Sequence, residues 1–320
     1  MKTKKAVKFR KYALGYLFIA PLIVYSAIFL FAPMIMALWY SFTDWNMLSD
    51  ATFIGFKNYI DLFTDSLMYP FFWTSLWVTV KYILLTVPAN IILTLVVSAL
   101  LNGIGKSERF YKTAFYIPSV TAGVAIMAMW RYMLDSRYGL INQLLGTQIN
   151  FLGNKDTALI TLAVMSVWGG LGYNVLIMLS AMKNIDKSLY EAAEIDGANS
   201  FHKFIKITVP SVLPTTFFLL VTGLIGSFQA FDQMKILTGG GPQHSTYTFM
   251  YQVYEQAFGN LSNIGVSCAL SYILFVIILI ITAIQFKVLP QRADVDNGKR
   301  KKRRVADVRA SSCKKIPPCL

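Results

Sequence analysis

Residues 188–197 read SLYEAAEIDG, and they lie between two apolar runs that are each long enough to cross a lipid bilayer. This polar stretch interrupts a chain that is 55% apolar and only 14% charged, with a mean hydropathy of +0.52. Charged side chains are costly inside lipid, so the stretch does not belong to a membrane span. It therefore predicts a connection at a membrane surface, which extends over residues 183–206.

Six apolar runs, two of which flank this connection, are long enough to cross a hydrocarbon core of roughly 30 Å at about 1.5 Å per residue. Helices are expected because lipid offers backbone groups no hydrogen-bond partner. Prolines inside the runs, such as Pro118, predict kinks. The predicted fold class is therefore an all-α membrane protein with six transmembrane helices. Within a membrane domain at residues 12–289, the predicted spans are 12–38, 72–101, 113–130, 158–182, 207–231 and 264–286.

The lysines and arginines are unevenly distributed between the predicted spans. Alternate segments that include both termini hold 24 of them, whereas the other set holds five. The positive-inside rule therefore predicts that both termini are cytoplasmic. The basic ends, at residues 1–11 and 290–320, are expected to contact membrane lipid rather than nucleic acid, because the basic run at 299–304 follows a membrane span.

The connecting loop has the local chemistry of two short helices. Ser188 and Glu191 have the spacing of a capping box, which predicts the start of the first helix. Gly197 is expected to end that helix, because glycine adopts a left-handed conformation without steric cost. Asn199 or Ser200 can cap the second helix. These helices expose apolar side chains that they cannot bury against each other, so the loop packs either on its own membrane helices or on a separate protein.

The loop also resembles the EAA signature of ABC importer permeases, E-A-A-x₃-G-x₉-I-x-L-P. Residues 191–197 read EAAEIDG, and after nine residues ITVP follows at 207–210, so that only Val209 departs from the pattern, by a mild apolar exchange. The resemblance implies the type I ABC importer permease fold, in which this loop sits in a groove of a separate cytoplasmic ATPase. The residues that it assigns to ATPase coupling are Glu191, Ala192, Ala193, Gly197, Ile207 and Pro210.

A second stretch, FDQMKILTGGGP at residues 231–242, resembles sugar-importer permeases of the maltose-transporter type, and YGLIN at 138–142 adds to the likeness. The resemblance extends to about Leu289. It implies import of a sugar or a related small polar solute across a bacterial inner membrane. The implied partners are an ABC ATPase dimer, a second homologous permease subunit and an extracytoplasmic solute-binding protein.

The chain lacks the pattern of an ATPase of its own. Gly105-Lys106-Ser107 resembles the end of a P-loop, but the glycine required five residues earlier is replaced by Leu100, inside an apolar run. We therefore expect a transport subunit without catalytic residues or cofactors, whose partner ATPase binds ATP and Mg. The cysteines and histidines are not spaced as metal ligands, so no metal site is expected.

Hydroxyl, amide and aromatic side chains in the third to fifth spans are candidates for contact with an uncharged, hydroxyl-rich solute. Serine and glycine also mediate ordinary helix packing, and tryptophan and tyrosine often lie at membrane interfaces. The candidates, chosen by their position relative to the two signatures, are Ser119, Ser166, Trp168, Gly170, Tyr173, Ser227 and Gln229.

The leading alternative is an ion-coupled secondary transporter or channel. That function is typically associated with acidic residues or paired broken helices within the spans, and the predicted spans contain almost no acidic residues. The pattern does not specify the solute, and it does not show whether the tail after about Leu289 contributes to function.

Overall fold

A computed structural model describes residues 16–65, 67–259 and 263–288, and this part of the chain is almost entirely helical. The predicted basic segments 1–11 and 290–320 lie outside the described residues. The only strands in the described part are β1 (Thr43–Asp44) and β2 (Thr52–Phe53), which pair antiparallel. The helices are α1 (Tyr16–Tyr40), α2 (Lys57–Thr64), α3 (Phe72–Asn102), α4 (Glu108–Val120), α5 (Gly123–Met133), α6 (Leu140–Leu145), α7 (Lys155–Lys183), α8 (Lys187–Ile195), α9 (Ser200–Ser211), α10 (Leu213–Phe228), α11 (Phe249–Phe258) and α12 (Ile264–Val288).

Four of the described helices, α1, α3, α7 and α12, are each long and apolar enough to cross a membrane. Two bent pairs, α4 with α5 and α9 with α10, raise the number to six when each pair is counted as one span. The predicted helical class with six spans is thereby confirmed. The third and fifth spans are each divided into two helices; a kink was predicted at Pro118 in the third span, and no break was predicted in the fifth.

The third span bends by 97° between α4 and α5. Pro118 lies in the last turn of α4, and the backbone becomes extended at Thr121, with φ −77° and ψ 142°. Because proline removes a backbone donor and clashes with the preceding turn, it favours a break at this point. The kink predicted at Pro118 is therefore present, and it is sharp enough to divide the span.

The fifth span bends by 66° between α9 and α10. The break lies at Val212, between Pro210 and Pro214. The two prolines flank Val212 and withhold two amide donors from the helix, which accounts for the interruption. α9 also includes a π-helical segment, Phe204–Thr208, and π-helical turns are rare outside functional or strained sites.

The described residues form two compact units. One comprises the chain up to Phe72 together with Gln252–Phe275. Its β-hairpin is attached to α2 by the buried amide of Asn58, which donates to the carbonyl oxygens of Ser41 and Thr43 at 2.9 Å each. Two backbone acceptors in the first part of the chain are thereby satisfied by one side chain, as buried polar groups require.

Among the described residues, the other unit comprises Trp73–Tyr251 and 276–288. In this unit α4 crosses α7 at close range, since a Cβ at Gly172 would overlap the carbonyl oxygen of Phe115. Leu171 and Val175, on either side of this glycine, are buried in one apolar cluster. The absence of a side chain at Gly172 thus allows the two backbones to touch.

Candidate functional site

A row of hydrogen bonds joins α3 to α7 in the second unit. The Tyr82 hydroxyl donates to Ser166 Oγ at 2.6 Å, and the Asn174 amide donates to Asn90 Oδ1 at 2.6 Å. In each pair the two residues are 84 positions apart in the sequence. A higher residue number on α3 is therefore matched by a higher number on α7, which means that the two helices run parallel. Members of the row recur every four residues along each helix, a spacing that brings their side chains to the same helix face.

One position in the row carries no side chain. Gly170 occupies α7 midway between Ser166 and Asn174, and the residue at the matching position of α3 is Thr86. A Cβ at Gly170 would lie 3.4 Å from Asn90 Nδ2, an ordinary contact, so glycine leaves space here without being sterically required. The missing side chain contributes to the volume of a cavity between the helices.

At one end of the row, Gln233 links both helices to the chain that follows α10. Its side-chain amide donates to the Tyr82 hydroxyl and, at 2.7 Å, to Ser166 Oγ. Ser166 in turn donates to the carbonyl oxygen of Leu162 at 3.0 Å. A serine hydroxyl has one donor and two acceptor sites, so the capacity of Ser166 is fully used.

In the middle of the row, Thr86 connects α3 to α10. Its hydroxyl donates to the carbonyl oxygen of Tyr82 at 2.8 Å and lies 3.1 Å from Ser227 Oγ. Because the single hydroxyl proton of Thr86 is directed at Tyr82, we assign Ser227 as the donor of the second bond. The lone pairs of Ser227 then remain as acceptors at the cavity.

These polar groups line a cavity of about 510 Å³ between α3, α5, α7 and α10. Asp232 is the one acidic residue of its described wall, which contains no lysine, arginine or histidine. The remaining wall is formed by hydroxyls, amides, glycines and apolar side chains. This volume is within the range of small-molecule sites, and the wall can form hydrogen bonds with a polar solute.

The structure brings four of the sequence candidates, Ser166, Gly170, Ser227 and Gln229, to the cavity wall and places the other three elsewhere. Ser119 donates to the carbonyl oxygen of Tyr116 at 2.7 Å within its own helix. Trp168 packs edge to face on Trp130, with ring centroids 5.5 Å apart, and 54% of the surface of Tyr173 is exposed.

Several polar wall residues were missed in the sequence, although α3 contained a signal. Polar residues recur every four positions through its apolar run, from position 82 to position 98. That period predicts one polar helix face, which in a membrane span is normally covered by protein or water. The residues that were missed are Tyr82, Thr86, Asn90, Asn174, Asp232 and Gln233.

The glycine-rich segment after α10 is a folded element that positions Gln233. A π-helical turn, Met234–Thr238, is followed by Gly239, Gly240 and Gly241, which all have positive φ values (58°, 87° and 79°). A Cβ at Gly241 would overlap the Thr246 hydroxyl group, which itself lies 2.7 Å from Thr238 Oγ1. Backbone conformation and close packing therefore require these glycines, and the segment is a folded element rather than a simple flexible loop.

In the 183–206 loop, α8 begins two residues earlier than predicted. Its cap is Asp186, whose carboxylate accepts from the Ser188 amide at 3.0 Å. This backbone hydrogen bond favours the ionised carboxylate and lowers the pKa of Asp186 below its ordinary value. The predicted capping box of Ser188 and Glu191 is wrong, because Asp186 precedes both residues and has a better acceptor for the first turn.

The end of α8 follows the prediction. Gly197 has φ +75°, its amide donates to the carbonyl oxygen of Glu194, and the amide of Ala198 donates to that of Ala193. This pair of bonds is the Schellman arrangement, which satisfies the last carbonyl groups of a helix. Asn199 then caps α9 by accepting from the His202 amide at 2.8 Å.

Three side-chain contacts order the 183–206 loop, one within it and two with the membrane helices. Lys183 pairs with Glu108 at 2.5 Å, at the start of α4. Lys203 pairs with Glu194 at 2.7 Å, and this bond lowers the pKa of Glu194. Tyr190 forms a hydroxyl–hydroxyl bond of 2.8 Å with Thr208. The loop is therefore an ordered structure, and two of these contacts attach α8 to α9.

The face of the loop that remains uncovered is partly apolar. Ile195 is 88% exposed and Phe201 is 69% exposed. Of the EAA-signature residues, Glu191, Ala192, Gly197 and Pro210 are exposed, whereas Ala193 and Ile207 are half-buried.

A helical bundle of membrane-spanning length, a polar cavity between its helices and an ordered loop together define a membrane permease. The chain belongs to the family of binding-protein-dependent transport system inner membrane components, whose model matches residues 105–292. This membership confirms the resemblance drawn from the two signatures, and it makes the chain a permease of the ABC importer class, which is a membrane subunit for transport.

Curated relatives align over nearly the whole chain. The chain is 37% identical to the probable ABC transporter permease protein YesP of Bacillus subtilis, covering 89% of this chain and 93% of YesP. It is 33% identical to the sn-glycerol-3-phosphate transport system permease protein UgpA of Salmonella typhimurium, covering 87% of this chain and 95% of UgpA.

A solved structure has the same fold. It is the crystal structure of a bacterial ABC transporter involved in the import of the acidic polysaccharide alginate, with a TM-score of 0.77 at 21% identity. The match covers 92% of this chain and 100% of that chain. At this identity the match establishes the type I ABC importer permease fold alone.

Proposed function

We propose that this permease imports an uncharged sugar or a related polyol through the cavity between α3, α5, α7 and α10. The energy comes from a separate cytoplasmic ATPase dimer that holds the 183–206 loop. The observation that carries the proposal is the EAA signature on a short helix that is ordered at both ends and exposed along its signature residues. A rigid, exposed helix is suited to transmit a movement between subunits.

The chemistry of the cavity supports an uncharged, hydroxyl-rich solute. The hydroxyl protons of Tyr82, Thr86 and Ser227 are all directed at protein acceptors, so these groups face a solute with lone pairs. Sugar hydroxyls supply the donors that such acceptors need. The described wall contains Asp232 and no lysine or arginine, so it disfavours a phosphate or carboxylate.

The similar proteins are named for polar, carbohydrate-related solutes that are anionic, whereas the wall of this cavity favours an uncharged one. UgpA is named for sn-glycerol-3-phosphate, and the alginate transporter was solved in complex with an alginate pentasaccharide-bound periplasmic protein. For this chain we propose an extracytoplasmic solute-binding protein and a second homologous permease subunit as partners. The chain has no cofactor of its own, and ATP and Mg bind to the partner ATPase.

The proposed orientation follows from charge. The basic segments place both termini and the 183–206 loop in the cytoplasm of a bacterial cell, with the spans in the inner membrane and the basic ends at membrane lipid. α3 and α7 then both run from the outer surface inward. In this orientation the Tyr82, Ser166 and Gln233 group lies nearer the outer surface than the Asn90 and Asn174 pair.

The test is solute-stimulated ATP hydrolysis by the complete complex, reconstituted in liposomes with its ATPase, second permease and binding protein. Matched solutes that differ in charge, such as glycerol and glycerol phosphate or glucose and glucose phosphate, would be compared in one panel with disaccharides and other polyols. Stimulation confined to uncharged members is expected. Stimulation by the phosphorylated members alone, or uptake that needs an ion gradient instead of ATP, would contradict the proposal.

A further inference from the structure

We propose that Tyr190 is a positioning residue for energy coupling. Its hydroxyl bond to Thr208 makes α8 and α9 move as one body, so that a displacement of α8 reaches the bend in the fifth span. This inference rests on the proposed role of the 183–206 loop, and it identifies the contact through which that loop acts.

The covalent connection between the two helices is a poor transmitter of movement by itself. Gly197 follows the end of α8, with φ +75°. No other atom lies within 4 Å of where its Cβ would be, so no side chain packs between the helices at this turn. Glycine gives the backbone unusual freedom, so the turn is a natural hinge. If α8 were held only by this turn, it could rotate about Gly197 without displacing α9.

The Tyr190 contact restrains this hinge from near the middle of α8. The two hydroxyl oxygens are 2.8 Å apart across a sequence separation of 18 residues. Thr208 is only 7% exposed, so the bond lies where water competes weakly. With Gly197 at one end and Tyr190 near the middle, α8 is fixed to α9 at two separated points.

The second contact between α8 and α9 is an ion pair that contributes less to the connection because it is exposed to solvent. Lys203 and Glu194 are 2.7 Å apart, but 65% of the Glu194 side chain is exposed to solvent. Exposed ion pairs contribute little because water and salt screen them. We therefore assign the rigid connection to Tyr190 and Thr208 rather than to the ion pair.

The position of Thr208 explains which part of the fifth span a displacement of α8 would reach. It is the last residue of the π-helical segment Phe204–Thr208, and its carbonyl oxygen accepts from the amide of Val212, where the span bends by 66°. Val212 is buried against Met178 and Met182 of α7. Beyond the bend, α10 carries Ser227 to the cavity wall. A displacement of Thr208 thus acts directly on the bend at Val212, where α10, a cavity-lining helix, begins.

The experiment compares Tyr190→Phe, Thr208→Val and the double variant in the reconstituted complex. Phenylalanine and valine preserve volume and remove only the hydroxyls. ATPase recovered by pull-down and basal ATP hydrolysis are expected to equal those of the wild type. Solute imported per ATP hydrolysed is expected to fall about fivefold, the factor that one hydrogen bond of ordinary strength provides. The double variant should be no worse than either single variant, because both remove the same bond.

Two further variants separate coupling from general damage. Thr208→Ser retains a hydroxyl and is expected to restore the ratio of transport to hydrolysis. Thr216→Val removes a threonine hydroxyl near the same bend, one that bonds only to the Val212 carbonyl oxygen of its own span at 3.1 Å, and it should leave the ratio unchanged. A merely structural role for Tyr190 would lower yield or both activities together, without changing their ratio.

An unchanged ratio in Tyr190→Phe, or losses that add in the double variant, would overturn this inference while leaving the proposed function in place. If the wild-type permease did not bind an ATPase, the proposed function itself would fail. Pull-down of the wild-type complex and the transport ratio of the variants therefore distinguish the two failures.

Discussion

The cavity and the 183–206 loop are built in opposite ways. Around the cavity, polar side chains from helices distant in sequence satisfy one another, as in the pairs Tyr82 with Ser166 and Asn90 with Asn174. In the loop, most hydrogen bonds connect residues fewer than ten positions apart, and apolar side chains such as Ile195 remain exposed. These polar pairs of the cavity wall are thus satisfied within this chain, whereas the exposed face of the loop is suited to a partner.

This contrast predicts that substitutions at the cavity scaffold affect folding, whereas those in the loop affect assembly and coupling. The largest effect is expected for Gly172→Ala. The new Cβ would overlap the backbone of Phe115, which cannot move aside as a flexible side chain would, and we expect destabilisation of roughly 1–3 kcal/mol. Thermal unfolding of the purified protein in detergent is the measurement.

Gly169→Ala on the same helix is the matched control, because nothing lies within 4 Å of its Cβ position. The unfolding temperature of this control should stay close to that of the wild type. Equal stability of the two variants would show that α4 and α7 do not depend on close contact at Gly172.

The next effect is expected for Gly197→Asp, which should remain in the membrane, lose solute uptake and bind the ATPase weakly. An aspartate is strained at φ +75° and places a charge at the exposed end of α8. Pull-down of the ATPase and uptake by membrane vesicles are the measurements.

Gly146→Asp imposes a similar backbone strain at φ +63°, also in open surroundings, at the end of α6. This control should retain ATPase binding. Recovery of the ATPase at wild-type yield by the Gly197 variant would remove the loop from the coupling interface.

An intermediate effect is expected for Gln229→Ala, which removes an amide from the cavity wall. Solute preference should change, with a KM for the preferred solute raised by about fivefold, while ATPase assembly is retained. Tyr173→Ala, outside the described wall, should leave the preference unchanged. The opposite result, with Tyr173 altering preference and Gln229 silent, would place the solute path elsewhere.

The smallest effect is expected for Lys203→Met. Lys203 lowers the pKa of Glu194, so the pair stabilises the loop above the ordinary pKa of glutamate and ceases to do so as pH falls through the lowered value. Because Glu194 is exposed, the loss at neutral pH should be slight. Coupling ratios measured at neutral and acidic pH should differ less in this variant than in the wild type. A Lys203→Met defect as large as that of Tyr190→Phe would reverse the order of the two loop contacts.

The sequence by itself determined the class of protein, the number of spans and the end of α8. Each of these depends on local features: the length of apolar runs, two short sequence signatures, and a glycine that must adopt a positive φ. The EAA signature was recognisable for the same reason, since its residues act within one short segment. The start of α8 was misplaced because two possible caps, Asp186 and Ser188, lie only two residues apart.

Tertiary structure alone decided the cavity. The polar positions of α3 recur every four residues, but this period does not reveal which helix they face. Their partners on α7 lie 84 residues away, and Gln233 reaches them only because a π-helical turn and three glycines follow it. The breaks in the third and fifth spans likewise required the structure, because a proline permits a bend without determining its size.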